Sequence, residues 1–225
     1  MNESPRFALD HLVVAAASLE AGADWCRRVL GATAVPGGRH PTMATHNLLL
    51  GLASPRFPRS YLEIIAIDPA AVPPERARWF DLDDPALRAA VGREPQLVHW
   101  VARTADIAAA AQILRDAGHD PGVAVAAERA TPGGVLRWKI LLREDGRRLA
   151  AGAVPLVIEW ADAHPTDALA ASGVALEQVE IAGVSAALAT SLGVRPGGGP
   201  AALAARLMTP QGVVTLAVAP LSNDG

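Results

Sequence analysis

The chain has one cysteine, Cys26, in 225 residues. That excludes an intramolecular disulfide framework and suits a reducing compartment. Cys26 falls in an amphipathic stretch and reads as a buried structural thiol. No apolar run reaches the roughly 18 residues that a membrane-spanning helix needs. The N-terminus lacks a basic segment followed by a long apolar one, so no signal peptide is expected. An excess of one charge is missing too: the net charge is −3 and is not segregated, which favours neither nucleic acid nor an anionic membrane. Gly197-Gly198-Gly199 lacks the spacing and the following Lys-Ser/Thr of a phosphate-binding loop. What remains is a cytoplasmic protein, half apolar and long enough for a large core, whose expected partner is a small molecule.

What is present is a repeat, the feature to seek first because missing it mis-assigns the fold. Leu9-Asp10-His11-Leu12-Val13-Val14 aligns position for position with Leu97-Val98-His99-Trp100-Val101-Ala102. Each is followed by an Ala-rich amphipathic segment that stops at glycine, Gly31 and Gly118. Each copy ends in an apolar run broken by one glutamate, Tyr61-Leu62-Glu63-Ile64-Ile65 and Leu156-Val157-Ile158-Glu159-Trp160. A unit that opens on His and closes on Glu, used twice, suggests one shared site of two histidines and two glutamates.

The pattern predicts a strand over 8–14 and a helix over 18–30, with Ser18 as N-cap and Glu20 in the first turn. Residues 36–41, Pro-Gly-Gly-Arg-His-Pro, read as a loop, and 46–52 and 60–67 as strands. The proline-rich stretch 68–95 reads as a connection with short helical pieces packed by Trp79 and Phe80. The second copy runs strand 97–103, helix 105–117 with Asp106 in its first turn, then strands near 122–127, 135–143 and 154–161, with a turn at Asp145-Gly146. A weaker third copy follows: a strand over 176–181 with Gln178 in the histidine position, a short helix over 184–192, and strands over 203–209 and 212–219. Val214-Thr215 stand where the acidic residue would be. The expected boundaries are a first module at 1–67, the connection at 68–95, a second module at 96–165 and a degenerate third half-module at 166–225, all within one unit. The third copy is expected to pack outside the main body or to form a symmetric contact in a homodimer, the second being favoured.

With these motifs in order, the chain resembles the vicinal oxygen chelate superfamily, specifically its glyoxalase-like branch. Asp10-His11-Leu12-Val13-Val14 and Tyr61-Leu62-Glu63-Ile64-Ile65 match the opening and closing signatures, and His99 and Glu159 fall at the corresponding places of the second module. Gly37-Gly38-Arg39-His40-Pro41 with Thr45-His46-Asn47 is also similar to that branch. The resemblance implies an α+β fold of tandem βαβββ modules, with a curved mixed sheet around a cleft. It also implies a divalent metal held by His11, Glu63, His99 and Glu159, and a lyase or isomerase acting through an enediolate, with Glu159 as base and Glu63 beside it. The long connection and the third module depart from glyoxalase I, so its glutathione-linked substrate does not carry over.

Read from chemistry alone, two imidazoles and two carboxylates suit a borderline ion, Zn²⁺, Ni²⁺, Mn²⁺ or Fe²⁺. Such an ion would stabilise an oxyanion as a Lewis acid. Arg39, His40, His46, Arg137 and Lys139 are candidate substrate contacts, whereas His119 and His164 read as solvated. Alternation turns Trp100 and Trp160 away from the site face. Two alternatives are an extradiol-type dioxygenase, against which Glu63 argues by filling an iron position, and a metal-free sequestering protein of the same fold.

Overall fold

The computed structural model describes residues 7–131 and 134–218. Its first unit is β1 (Ala8–Ala15), α1 (Leu19–Trp25), β2 (Val35–His40), β3 (Thr45–Gly51) and β4 (Tyr61–Ile67). The connection carries a 3-10 turn at Trp79–Asp81 and the helix α2 (Pro85–Arg93). The second unit is β5 (Gln96–Arg103), α3 (Ile107–Asp116), β6 (Val123–Thr131), β7 (Gly134–Leu142) and β8 (Leu156–Trp160). The third is β9 (Ala175–Ile181), α4 (Ala186–Ser191), β10 (Arg195–Pro196), β11 (Leu203–Thr209) and β12 (Gly212–Ala217). Ala219, at the end of the expected last strand, lies outside the described residues. No helix among the described residues is long and apolar enough to cross a membrane.

Eight strands form one sheet in the order β2-β3-β4-β1-β5-β8-β7-β6. Each half repeats the same scheme: the opening strand runs parallel to the closing strand, and β1 and β5 meet antiparallel at the centre. The sheet curls until Gly38 on one edge strand touches Arg129 on the other. α1 and α3 pack on its outer face; Ser18 and Gly31 bound the first helical run as expected, whereas Asp106, expected in the first turn of α3, is its N-cap. The Ser18 hydroxyl accepts from Ala21 N–H at 3.2 Å, Asp106 caps α3 through Ala108 and Ala109 N–H, and Gly31 takes the left-handed conformation (φ 64°) that ends the helical run.

One expectation is corrected here. Residues 36–40 are part of edge strand β2 rather than a loop. The glycines are there for close approach: a Cβ on Gly37 would meet Asn47 Oδ1 at 2.2 Å, and one on Gly38 would meet Arg129 Cδ at 2.4 Å.

The third unit keeps the βαβββ element order, but its strands pair as β10-β9-β11-β12. Its apolar face packs onto the outer side of the large sheet. Leu176, Val179, Ile181, Leu188, Leu203 and Leu207 share one buried cluster with Leu12, Trp25, Leu50 and Leu52. Leu176 N–H donates to Leu52 O at 3.0 Å. Gln178 stays within the unit, accepting from Arg195 at 2.9 Å and donating to Glu180 at 2.6 Å.

Candidate functional site

The concave face carries the polar cluster. β1 pairs Leu9 with Ala102 and His11 with Val101, which leaves Asp10 as an extra residue, a β-bulge. Bulges re-aim side chains, and here Asp10 and His11 contact each other although they are neighbours in one strand. Asp10 Oδ1 accepts from His11 Nδ1 at 2.7 Å, and Oδ2 accepts from His164 Nε2 at 2.9 Å and from Trp160 Nε1 at 3.0 Å. Burial opposes ionisation of Asp10. The hydrogen bonds from His11 and His164 outweigh it and hold the carboxyl well below the usual range. His164 Nδ1 accepts from Thr166 N–H at 3.2 Å, which fits a neutral ring with its proton on Nε2. With Nδ1–H bound to Asp10, His11 turns Nε2 into the cleft.

Glu63 faces that nitrogen: His11 Nε2 to Glu63 Oε2 is 3.6 Å. The other carboxylate oxygen accepts from Asn47 Nδ2 at 2.5 Å, and Asn47 Oδ1 in turn accepts from Gly38 N–H at 2.7 Å. The carboxylate is therefore fixed in orientation with one oxygen free. His40 Nε2 lies 3.9 Å from Glu63 Oε1, and its Nδ1 contacts Thr45 Oγ1 at 3.1 Å. Burial, joined by the Arg129 charge and opposed by Glu63, pushes His40 down to about 4. Tyr61 stacks on His11 with ring centroids 4.6 Å apart. Burial and the Asp10 and Glu63 charges raise its pKa well above the ordinary value, so it stays a phenol.

Tyr61, Trp79, Phe80, Trp138 and Trp160 wall a narrow cleft of about 40 Å³. Trp79 and Phe80 come from the connection and plug its lower end. The segment is clasped by Arg148, whose Nε donates to Asp81 Oδ2 at 2.7 Å and whose Nη1 donates to Val98 O at 2.9 Å. Phe80 and Asp81 both sit at positive φ, 61° and 58°, strain of the kind that persists only where the surroundings impose it.

The structure brings His11, Glu63 and His40 together and leaves the other expected residues elsewhere. His99 is on the same sheet face but behind the plug, 5.3 Å from the Phe80 ring. Its Nε2 accepts from Leu156 N–H at 3.2 Å, its Nδ1 is buried without a partner, and burial pushes it down to about 3. The register explains its isolation. β5 has its own bulge, at Val98, immediately before His99, so Val98 stands where the first unit has Asp10. Glu63 pairs with Val13, two residues after His11; two residues after His99, Val101 pairs with Leu156. Leu156 therefore occupies the place of Glu63.

Glu159 is corrected on the same ground. It lies three residues past Leu156 and faces the outer side, where it accepts from Ile107 N–H at 2.8 Å and from Lys139 Nζ at 3.0 Å. Trp160 takes the cleft-facing position instead. Arg137 and Lys139 share that outer face, Arg137 paired with Glu128 at 3.1 Å, and Trp138 between them is the cleft residue. Arg39, itself exposed, is ion-paired to the buried Asp68. His46 points outward and its neighbour Asn47 inward. His164, expected in solvent, is buried on Asp10.

The set His11, Glu63, His99 and Glu159 thus does not fit a shared ion. Among the described residues no group of three His, Cys, Asp or Glu side chains is arranged to hold one. Asp10, Asn47, Tyr61, Arg129 and His164 were not identified as site residues from the sequence. For Asp10 a signal existed: the aligned openings differ there, Asp10 against Val98.

A family described as "Glyoxalase-like domain" matches residues 9–196. A hypothetical protein from Staphylococcus aureus aligns over 94% of this chain and 85% of its own, at 15% identity and a TM-score of 0.53. Methylmalonyl-CoA epimerase from Mycobacterium tuberculosis aligns over 72% and 91%, at 18% identity and a TM-score of 0.38. The Streptomyces coelicolor enzyme of that name aligns over 70% and 99%, at 18% and 0.41. A search of curated proteins found no match.

Proposed function

The chain belongs to the glyoxalase-like domain family, of the vicinal oxygen chelate superfamily, and on that premise we propose that it is an enzyme that moves a proton on a small oxygenated molecule, in an isomerase- or lyase-type reaction. The observation that carries this reading is the 3.6 Å approach of His11 Nε2 to Glu63 Oε2 in an aromatic-walled cleft. Glu63, held by Asn47, takes a proton from a carbon beside a carbonyl. The C–H bond breaks and its electron pair moves into the carbonyl, giving an enolate and a neutral Glu63. The proton passes from Glu63 to His11 Nε2, where the Asp10 carboxylate stabilises the imidazolium, as an aspartate does behind a catalytic histidine. Its return to carbon restores every group and leaves no net change in protons.

Members of the superfamily commonly use divalent metals. No step here is routed through Zn²⁺, Ni²⁺, Mn²⁺ or Fe²⁺, because His99 and Glu159 do not reach His11 and Glu63. The same geometry weighs against the dioxygenase alternative, which needs both histidines at one iron. A homodimer is part of the proposal as well. Met208 and Val213 form an exposed cross-strand apolar pair on the third unit, a face that a second copy could cover. A purely monomeric sedimentation profile would refute it.

The reaction is tested by incubating small 2-oxo and 2-hydroxy carbonyl compounds with the protein in D₂O and following deuterium incorporation by NMR. Incorporation at carbon is expected, slowed by roughly 10²–10⁴ in Glu63→Gln. No incorporation with any compound would favour the sequestering protein. Equal rates in Glu63→Gln would remove Glu63 from the base role.

A further inference from the structure

Among the described residues Arg129 is the one arginine or lysine that lines the cleft. It projects from β6, at the far edge of the sheet from β2. Gly38 approaches it so closely that a Cβ there would meet Cδ at 2.4 Å and Nη1 at 2.7 Å. Glycine weakens a strand interior, so two in succession in β2 need a reason. Gly37 makes room for Asn47, which orients Glu63, and Gly38 makes room for the guanidinium.

The other cation beside it in the sheet, Arg137, has Glu128 as partner. Among the described residues Arg129 has no carboxylate partner, and its Nε is buried with no hydrogen bond. A desolvated guanidinium nitrogen without an acceptor is unfavourable. Its charge is felt inside the cleft, where it disfavours protonation of His40. The carboxylate of the cleft, Glu63, is held by Asn47 and faces His11, and among the described residues it makes no ion pair with Arg129, so the fork is left without an anion.

We infer that Arg129 anchors the carboxylate of the substrate, so that the cleft takes small 2-oxo or 2-hydroxy carboxylic acids with the oxygen-bearing carbon toward His11 and Glu63. The fork of a guanidinium matches a carboxylate in two parallel hydrogen bonds. The aromatic walls then take the remainder of the acid. This inference rests on the proposed reaction for the orientation of the acid, but its test reads binding alone.

Pyruvate, 2-oxobutanoate and phenylpyruvate, each beside its neutral methyl ester, are titrated into the full chain by calorimetry. At least one acid is expected to bind about tenfold or more tightly than its ester, as a charge-assisted pair out of water would give. Arg129→Met should abolish that preference, and Arg129→Lys should keep part of it. Gly38→Ala, which displaces the guanidinium while leaving its charge, should behave like Arg129→Met; folding of each variant is checked by circular dichroism. Equal binding of acid and ester, a preference that survives Arg129→Met, or no binding of any acid would each overturn the inference. Acids that bind in an Arg129-dependent way without exchanging deuterium would sink the proton-transfer reading and leave this one standing. Exchange that ignores Arg129 would do the reverse.

Discussion

Replacement of Asp10 by asparagine probes the site and the fold together. Asp10 is fully buried and accepts three hydrogen bonds, from His11, His164 and Trp160. Asparagine keeps one acceptor oxygen. Turned toward His164 and Trp160, it presents its amide to His11, which must then move its own proton to Nε2. Bonds to a charged acceptor contribute about 1.5–3 kcal/mol and neutral ones about 0.5–1.5 kcal/mol. Downgrading two bonds and rearranging the third should therefore cost roughly 2–3 kcal/mol at neutral pH. Asp10→Ala, which leaves three buried donors unmatched, should cost about 3–5 kcal/mol. The pH dependence carries a sign. The folded-state pKa of Asp10 is depressed, so its stabilisation is complete above the unfolded value near 3.9 and is lost as pH falls through the folded value. Urea unfolding should show a deficit for Asp10→Asn that is constant from about pH 7 to 5 and narrows below about pH 4. Deuterium exchange should fall as well, because Nε2–H would now point at Glu63 in place of a lone pair. A variant within about 0.5 kcal/mol of the parent at pH 7 would refute the assignment of Asp10 as the buried anion of the cluster.

Three further outcomes are expected. His99 and His40 are held neutral with lowered pKa values, about 3 and about 4. Each therefore costs stability as pH falls below the unfolded value near 6.5, at up to about 1.4 kcal/mol per pH unit; His99→Leu should flatten the acid limb of a stability curve, and an unchanged limb would show that His99 protonates freely. Glu159→Gln should leave exchange within a few-fold of the parent and cost about 0.5–1 kcal/mol by weakening the contact to the start of α3; a large loss of exchange in that variant would return Glu159 to the site. Truncation after Asp167 removes Leu176, Val179, Ile181, Leu203 and Leu207 from the shared core. At about 1.5–3 kcal/mol per buried side chain this rivals the stability of a typical domain, so aggregation or a loose fold is expected, and a soluble, fully folded monomer would contradict the packing role.

The repeat, the bounds of the first helical run and most of the strands were legible in the sequence because each rests on local signals: Ser18 before an amphipathic run, Gly31 after it, apolar stretches of strand length. Facing was less legible. Leu156–Trp160 is buried on both sides of the sheet, so alternation fixes that Glu159 and Trp160 oppose each other without telling which faces the cleft; the register with β5 decides it, and that is a tertiary fact. Asp10 was hidden by the same rule, since adjacent strand residues should face apart, and only a bulge brings it onto His11. Gly37 and Gly38 read as a loop because glycine marks turns more often than close approach. Three of the third unit's four strands were read from the sequence and the two-residue β10 was missed; their pairing order was not encoded in any local pattern.

The walls of the cleft have a practical consequence. The chain has five tryptophans, and three of them, Trp79, Trp138 and Trp160, line the cleft, while Trp25 and Trp100 are buried in the core of the outer face. Intrinsic fluorescence is thus dominated by the one place where a bound molecule would alter it. A compound that seats against those indoles should quench or shift the emission, whereas one adhering elsewhere should leave it nearly unchanged. Unlabelled protein can therefore be screened optically against large collections of small acids before any reaction is known, with the emission itself reporting where the compound went.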